Sequence, residues 1–205
     1  DTVLAGWQAT GAPVADTVRL VEAEQADYKS DRTLYPMSDR VSAGVSPYHY
    51  RQVLYNILGG ENWNSPGQWV EWEVEVEETA LYTIALKYRQ SLKNNDVSSR
   101  TLYIDGEVPF AEAENIEFPY DGQWNMLRLG GSEERPGGFL FYLTKGKHTF
   151  RLEAGMGQYT ELIQRADKIL SELNTIYRKV IMITSPQPDG NRDYQFDKLI
   201  PDVIR

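Results

Sequence analysis

The sequence contains no cysteine, so it holds neither a disulfide framework nor a thiolate zinc site. That absence leaves the compartment open. Histidine is scarce as well, with only His49 and His148, and there is little imidazole for acid–base chemistry. Positive charge is also short: 21 Lys and Arg stand against 30 Asp and Glu, a net charge of -9. This balance weighs against a phosphate backbone or an anionic membrane surface as partner. The longest apolar run falls far short of the roughly 20 residues of a membrane-spanning helix. There is no Gly-rich phosphate loop, nucleophile elbow or H-E-x-x-H motif. The chain begins at Asp1 without a methionine or a signal-like segment, which reads as a piece excised from something longer.

Aromatic residues, by contrast, make up 12% of the 205 residues, and 13 of them are tyrosines. Tyrosine offers a flat apolar face and a hydrogen-bonding tip, which suits polar, ring-shaped ligands. The length has room for one core of ordinary size with an appended element. Residues 1–16 mix Gly, Ala and Pro without sustained periodicity and read as a lead-in segment that Trp7 pins down. From residue 17 to about 155 the dominant period is two, the mark of half-buried strands in a sandwich or barrel. In WVEWEVEVEE, Val70, Trp72, Val74 and Val76 share one face, and Trp69, Glu71, Glu73 and Glu75 share the other. In LYTIALKYR, Tyr82, Ile84, Leu86 and Tyr88 line one side. The intervening EETA reads as a hairpin turn. RTLYIDGE ends in Asp105-Gly106, a strong turn signal, and two more strands flank Lys145-Gly146.

After Gly155 and Gly157 the period changes. Leu162, Ile163, Ala166, Ile169, Leu170, Leu173, Ile176, Tyr177 and Val180 recur every three or four positions, predicting a long amphipathic helix over 159–180. TSPQPDGNRD breaks it, and YQFDKLIPDVIR predicts a short second helix interrupted at Pro201. The division is therefore 1–16, 17–155 and 156–205.

VEAEQADY, GQWVEWEVEVEETALYTIALKYR, RTLYIDGE and YLTKGKHTFRLEAG resemble the successive strands of family 6 and family 35 carbohydrate-binding modules. That resemblance implies a mostly β jelly-roll sandwich, here with a C-terminal helical appendage. LYPMSDR, SSRTLYIDGEVPFAEAE, LNTIYRKVIMIT and PDGNRDYQFDKLIP resemble a segment of large extracellular solute-binding proteins of Gram-positive sugar ABC transporters. The implied setting is extracellular, with the chain tethered to the cell surface through its parent and an oligosaccharide or polysaccharide as partner.

Glu22 and Glu24 lie two positions apart, so on a strand both carboxylates point to one side, as a hard cation such as calcium requires. In the resembling modules the corresponding glutamates help hold a structural calcium ion. Those modules add a carboxylate from a closing strand, whereas here FRLEAGMGQY runs into a helix and leaves only Glu153 nearby. Asp189, Asn191 and Asp193 are spaced like the start of an EF-hand loop. Tyr194 and Ile200 occupy the positions that need Gly and Glu, so capping and turn formation are expected instead.

A sugar ring presents C–H groups on one face and hydroxyls at its rim, so its receptor wants an aromatic plate edged with amide, carboxylate or guanidinium groups. Trp63, beside Glu61, Asn62 and Asn64 in a loop, fits that description and is expected to be exposed. SPYHYRQ adds Tyr48, Tyr50 and Arg51, and FPYDGQWN adds Tyr120 and Trp124. The alternative for each ring is to plug an end of the sandwich. In the resembling modules, end loops or the concave sheet face carry the ligand.

Catalysis finds no pair of candidate carboxylates. The acidic run 71–78 follows one strand and reads as solvated, and His148 shares the inward parity of Phe150 and Leu152. Two readings follow: a non-catalytic carbohydrate-binding domain, and a structural spacer of the same parent without a sugar site of its own.

Overall fold

The alternating valines and glutamates of residues 69–76 form an interior strand of the largest sheet. This computed structural model describes residues 2–200 apart from 41, 43, 93 and 95. Helix α1 (Thr2–Ala9) precedes β1 (Tyr28–Lys29), β2 (Pro36–Met37), β3 (Ile57–Leu58), β4 (Trp69–Val76), β5 (Ala80–Tyr82) and β6 (Ala85–Gln90). Then come β7 (Val97–Ile104), β8 (Ile116–Pro119), β9 (Asp121–Arg128), β10 (Phe141–Leu143) and β11 (Gly146–Gly155). Helices α2 (Thr160–Thr184) and α3 (Phe196–Leu199) follow. The chain divides into two compact units, Asp1–Gly157 and Gln158–Arg205.

The first unit is a mostly β, jelly-roll-like sandwich. One layer is an antiparallel sheet in the order β1-β4-β11-β7-β8, and the other consists of the ladders β2-β3, β10-β5 and β6-β9. Their inner faces meet in a single core that includes Leu34, Val70, Trp72, Leu102, Phe118, Phe141 and Leu152. Leu34, Val70 and Phe141 are fully buried, and each such side chain contributes about 1.5–3 kcal/mol. On β4 the expected faces appear: Val70, Trp72 and Val76 are buried, while Glu73 and Glu75 are exposed.

The chain changes layers more often than hairpin reading predicts. β4 and β5 do not pair; β4 pairs with β1 and β11, and β5 with β10. The EETA segment is thus a corner between layers and not a hairpin turn. The Lys145 N–H donates to Thr79 Oγ1 at 2.9 Å, tying this corner to the second crossing, from β10 to β11. Asp105-Gly106 does form the tight turn its residues predict, with φ of 53° and 83°. Both values are positive, as a type I′ turn demands.

The lead-in segment has more structure than its composition suggests. Trp7 of α1 meets Phe110 edge-on at 6.1 Å between ring centroids. Downstream, Pro13 and Ala15 bond to both backbone groups of Leu81 at 2.8 and 3.0 Å.

In the second unit, α2 runs to Thr184, four residues beyond the expected end. It stops where Ser185 adopts a φ of 65° and donates its N–H to the Ile181 carbonyl, with Pro186 following. Leu162, Ile169, Leu170, Leu173 and Tyr177 of its stripe are exposed. The interruption expected at Pro201 lies outside the described residues. No described helix is long and apolar enough to cross a membrane.

Candidate functional site

Asp39, in the loop after β2, is the hub of a polar cluster that joins Arg89, Trp124 and Asn56. Its side chain is 3% exposed. Oδ2 accepts from Arg89 Nη1 at 2.8 Å and from the Trp124 indole N–H at 2.9 Å. The Arg89 guanidinium also lies over the Trp124 ring, 5.2 Å from its centroid. A charged acceptor strengthens both bonds, and a buried carboxylate without them would be costly. The β6-β9 ladder shifts register between Tyr88 and Gln90. A bulge of this kind re-aims the side chain it contains, here Arg89.

The same hub fixes a loop of aromatic residues. Asn56 accepts the Asp39 N–H at 2.8 Å and donates to the carbonyls of Asp39 and Pro47 at 2.9 and 3.0 Å. Lys87 of β6 donates to the Gly44 carbonyl. Between these ties, His49 Nδ1 accepts the N–H groups of Arg51 and Gln52 at 3.2 and 3.1 Å. His49 stacks on Tyr50 with centroids 5.1 Å apart, and Arg51 lies 5.1 Å from the Tyr50 centroid. Tyr48, Tyr50 and Tyr55 are exposed. Tyr120, also exposed, stands just ahead of β9, the strand that carries Trp124. Of the residues singled out from sequence, Trp124 bonds directly to Asp39, while Tyr48, Tyr50 and Arg51 follow Pro47, whose carbonyl Asn56 ties to the same hub.

Trp63 and Asn62 sit on a different loop, and the expected exposure of Trp63 is not found. The ring is half-buried and packs against the core. Its N–H donates to the Gln68 carbonyl at 3.0 Å, and Arg100 covers one face at 4.5 Å from the centroid. The loop closes on itself because Gln68 Oε1 accepts the N–H groups of Asn64 and Ser65. Asn62, half-buried too, directs its Nδ2 to Met37 Sδ at 3.2 Å.

Glu22 and Glu24 are not on a strand. Ala23–Gln25 is a 3₁₀ turn capped by Glu22, so the parity expected of a strand does not apply. They remain neighbours: burial raises the Glu24 carboxyl above its ordinary value, a backbone hydrogen bond lowers it, and the Glu22 charge raises it further. Among the described residues no third acid or histidine joins them into a metal-sized cluster. Two carboxylates suit a hard cation, and main-chain carbonyls and water would have to complete its six to eight oxygens.

Several other polar groups are engaged in holding the fold together. Glu71 is not solvated: it is 12% exposed and pairs with Arg151 at 2.8 Å, with Arg151 stacked 4.2 Å from the Trp69 centroid. His148 is a satisfied strand residue, its two nitrogens 2.6 Å from Asp105 Oδ2 and 2.7 Å from the Thr144 carbonyl. Asp189 and Asp193 accept the N–H groups two residues ahead, the expected turn role. A cavity of about 170 Å³ lined by Phe110, Leu129, Phe139 and Phe141 touches none of the sugar candidates. Asp39 and Arg89 were not singled out from the sequence. Asp39 stands 50 and 85 residues from its two partners, and no local motif announces the meeting.

No family model matches the chain, and no curated protein matches it. Several solved structures do. One is a Paenibacillus sp. cycloisomaltooligosaccharide glucanotransferase complexed with cycloisomaltoheptaose, 16% identical with a TM-score of 0.46. The match covers 70% of this chain but only 17% of that enzyme. A family 35 carbohydrate-binding module from Clostridium thermocellum is 15% identical with a TM-score of 0.42, covering 59% of this chain and 77% of that one. The family 35 module from Paenibacillus barcinonensis is 17% identical with a TM-score of 0.39, covering 67% and 87%.

Proposed function

We propose that this chain is a non-catalytic carbohydrate-binding domain whose saccharide docks beside Asp39, against Trp124 and the exposed tyrosines of the 44–56 loop. The observation that carries the proposal is the triple tie of Asp39 to Arg89, Trp124 and the Asn56 side chain. It holds the Trp124 ring, the Arg89 guanidinium and the Asp39 carboxylate together, and Asn56 ties the loop of exposed tyrosines to the same residue. Aromatic faces contact sugar C–H groups while the polar rim meets hydroxyls, and the chain's acidic balance disfavours nucleic acid as a competitor. Tyr48, Tyr50, Arg51 and Tyr120 are the contact residues of this reading. A structural calcium ion at Glu22 and Glu24 belongs to the proposal, supported by two adjacent carboxylates that have no ion-pair partner among the described residues. So does an extracellular, surface-tethered parent of the solute-binding type, supported by the order of the resembling segments.

The exposed apolar residues of α2 favour a second reading, a spacer that braces other parts of the parent. A glycan array with the full chain separates the two. Retention of one saccharide class supports the binding domain, and silence across the array leaves the brace.

A further inference from the structure

Three half-buried guanidinium groups each lie over a tryptophan. Arg151 covers Trp69 at 4.2 Å, Arg100 covers Trp63 at 4.5 Å, and Arg89 covers Trp124 at 5.2 Å from the ring centroid. Two of the three are neutralised, Arg151 by Glu71 and Arg89 by Asp39, both at 2.8 Å. Arg100 has no carboxylate partner among the described residues. It donates only to main-chain carbonyls, those of Ser99 at 2.8 Å and Trp63 at 3.2 Å.

Its position makes the omission costly. On β7 Arg100 lies opposite Ala154 of β11 and Ile116 of β8, sharing the parity of buried Leu102. Burial pulls its pKa down to about 10, so it is still a cation at neutral pH. An uncompensated charge in such a place is unfavourable, and acidic side chains are not scarce in a chain with 30 of them. Guanidinium offers five N–H donors in a planar fork, of which the carbonyls engage only part. Nη1 and Nη2 carry those two bonds and Nε carries none; Nε is not among the sealed side-chain atoms and the residue as a whole is half-buried, so the Nε edge of the fork keeps contact with solvent.

We propose that Arg100, roofed by Trp63, is a binding position for a small carboxylate anion, which takes the role that Asp39 and Glu71 play at the other two pairs. A carboxylate matches the guanidinium fork with two parallel hydrogen bonds. This position is independent of the saccharide reading.

The test is a two-dimensional NMR titration of the full chain with sodium acetate against sodium chloride at equal ionic strength. The other two arginine–tryptophan pairs serve as controls within the same spectrum. The Arg100 Nε–H and Trp63 indole signals should move saturably with acetate, while those of Arg89, Trp124, Arg151 and Trp69 stay still. Acetate should also raise the melting temperature above the chloride control, and Arg100→Met should abolish that rise. Should Arg100→Met not fold, Arg100→Lys, which keeps the charge but loses the fork, should bind acetate at least several-fold more weakly. Equal movement of all three pairs, no acetate-specific shift, or an unchanged acetate response in a folded Arg100 variant would overturn the proposal. A chain that takes acetate here yet retains no saccharide would refute the carbohydrate reading alone.

Discussion

Replacing Asp39 by Ala removes the shared acceptor of Arg89 and Trp124 and leaves a guanidinium and an indole N–H without it. Removing one member of a buried pair costs about 3–5 kcal/mol. The Arg89 side chain is 28% exposed and recovers some hydration, so the expected loss is about 2–3 kcal/mol. The main-chain bonds between residue 39 and Asn56 survive the change, which limits the damage to the side-chain hub. For a folded unit of this size each kcal/mol shifts the melting temperature by about 2–4 °C, so a fall of about 5–10 °C should appear in calorimetry. Asp39→Asn retains an acceptor for Trp124 and should lose about half as much. Combining Asp39→Ala with Arg89→Met removes both ends of the pair, so the double variant should be more stable than the sum of the single changes implies. A melting temperature within about 1 °C of wild type for Asp39→Ala, or strict additivity in the cycle, would refute the hub.

Trp72→Ala should cost about 3–5 kcal/mol in urea denaturation as a core truncation, and Trp63→Ala about 1–3 kcal/mol because that ring also packs inward. Wild-type stability for Trp63→Ala would mean the ring is free after all. At His148, burial lowers the pKa, but the bond to Asp105, the Thr144 carbonyl and the Asp105 charge outweigh it and raise the value. Its contribution to stability is therefore full below about pH 6.5 and fades as pH rises through the raised value. The stability gap between wild type and His148→Gln should accordingly shrink between about pH 5 and pH 8, and a gap independent of pH would remove His148 from the account. If Glu22 and Glu24 hold calcium, a chelator should lower the melting temperature, since an ion bound only by the folded state stabilises it. Identical melts with and without chelator would dismiss the ion.

Local patterning made the strands and the long helix legible. The alternation in residues 69–76 identified Trp72 as core, and the three-to-four spacing after residue 159 identified α2. Connections were harder to read. EETA has the residues of a turn, yet those residues serve equally at a corner between layers, and only the pairing of β5 with β10 decides it. Trp63 misled because glycine, asparagine and proline mark a loop but do not tell whether the loop folds its ring inward. Here Gln68 and Arg100 draw it in. Glu71 misled in the same way, since its partner Arg151 stands 80 residues away. The Asp39 hub was invisible because its members come from a loop and two strands and share no spacing.

The most direct test is titration calorimetry with the best-retained saccharide, comparing wild type with Trp124→Ala and Tyr50→Ala, with near-UV circular dichroism verifying that each variant is folded. Carbohydrate recognition at the Asp39 cluster predicts that Trp124→Ala weakens binding by about 1–3 kcal/mol, with a smaller loss for Tyr50→Ala. Wild-type affinity in a folded Trp124→Ala variant would contradict it.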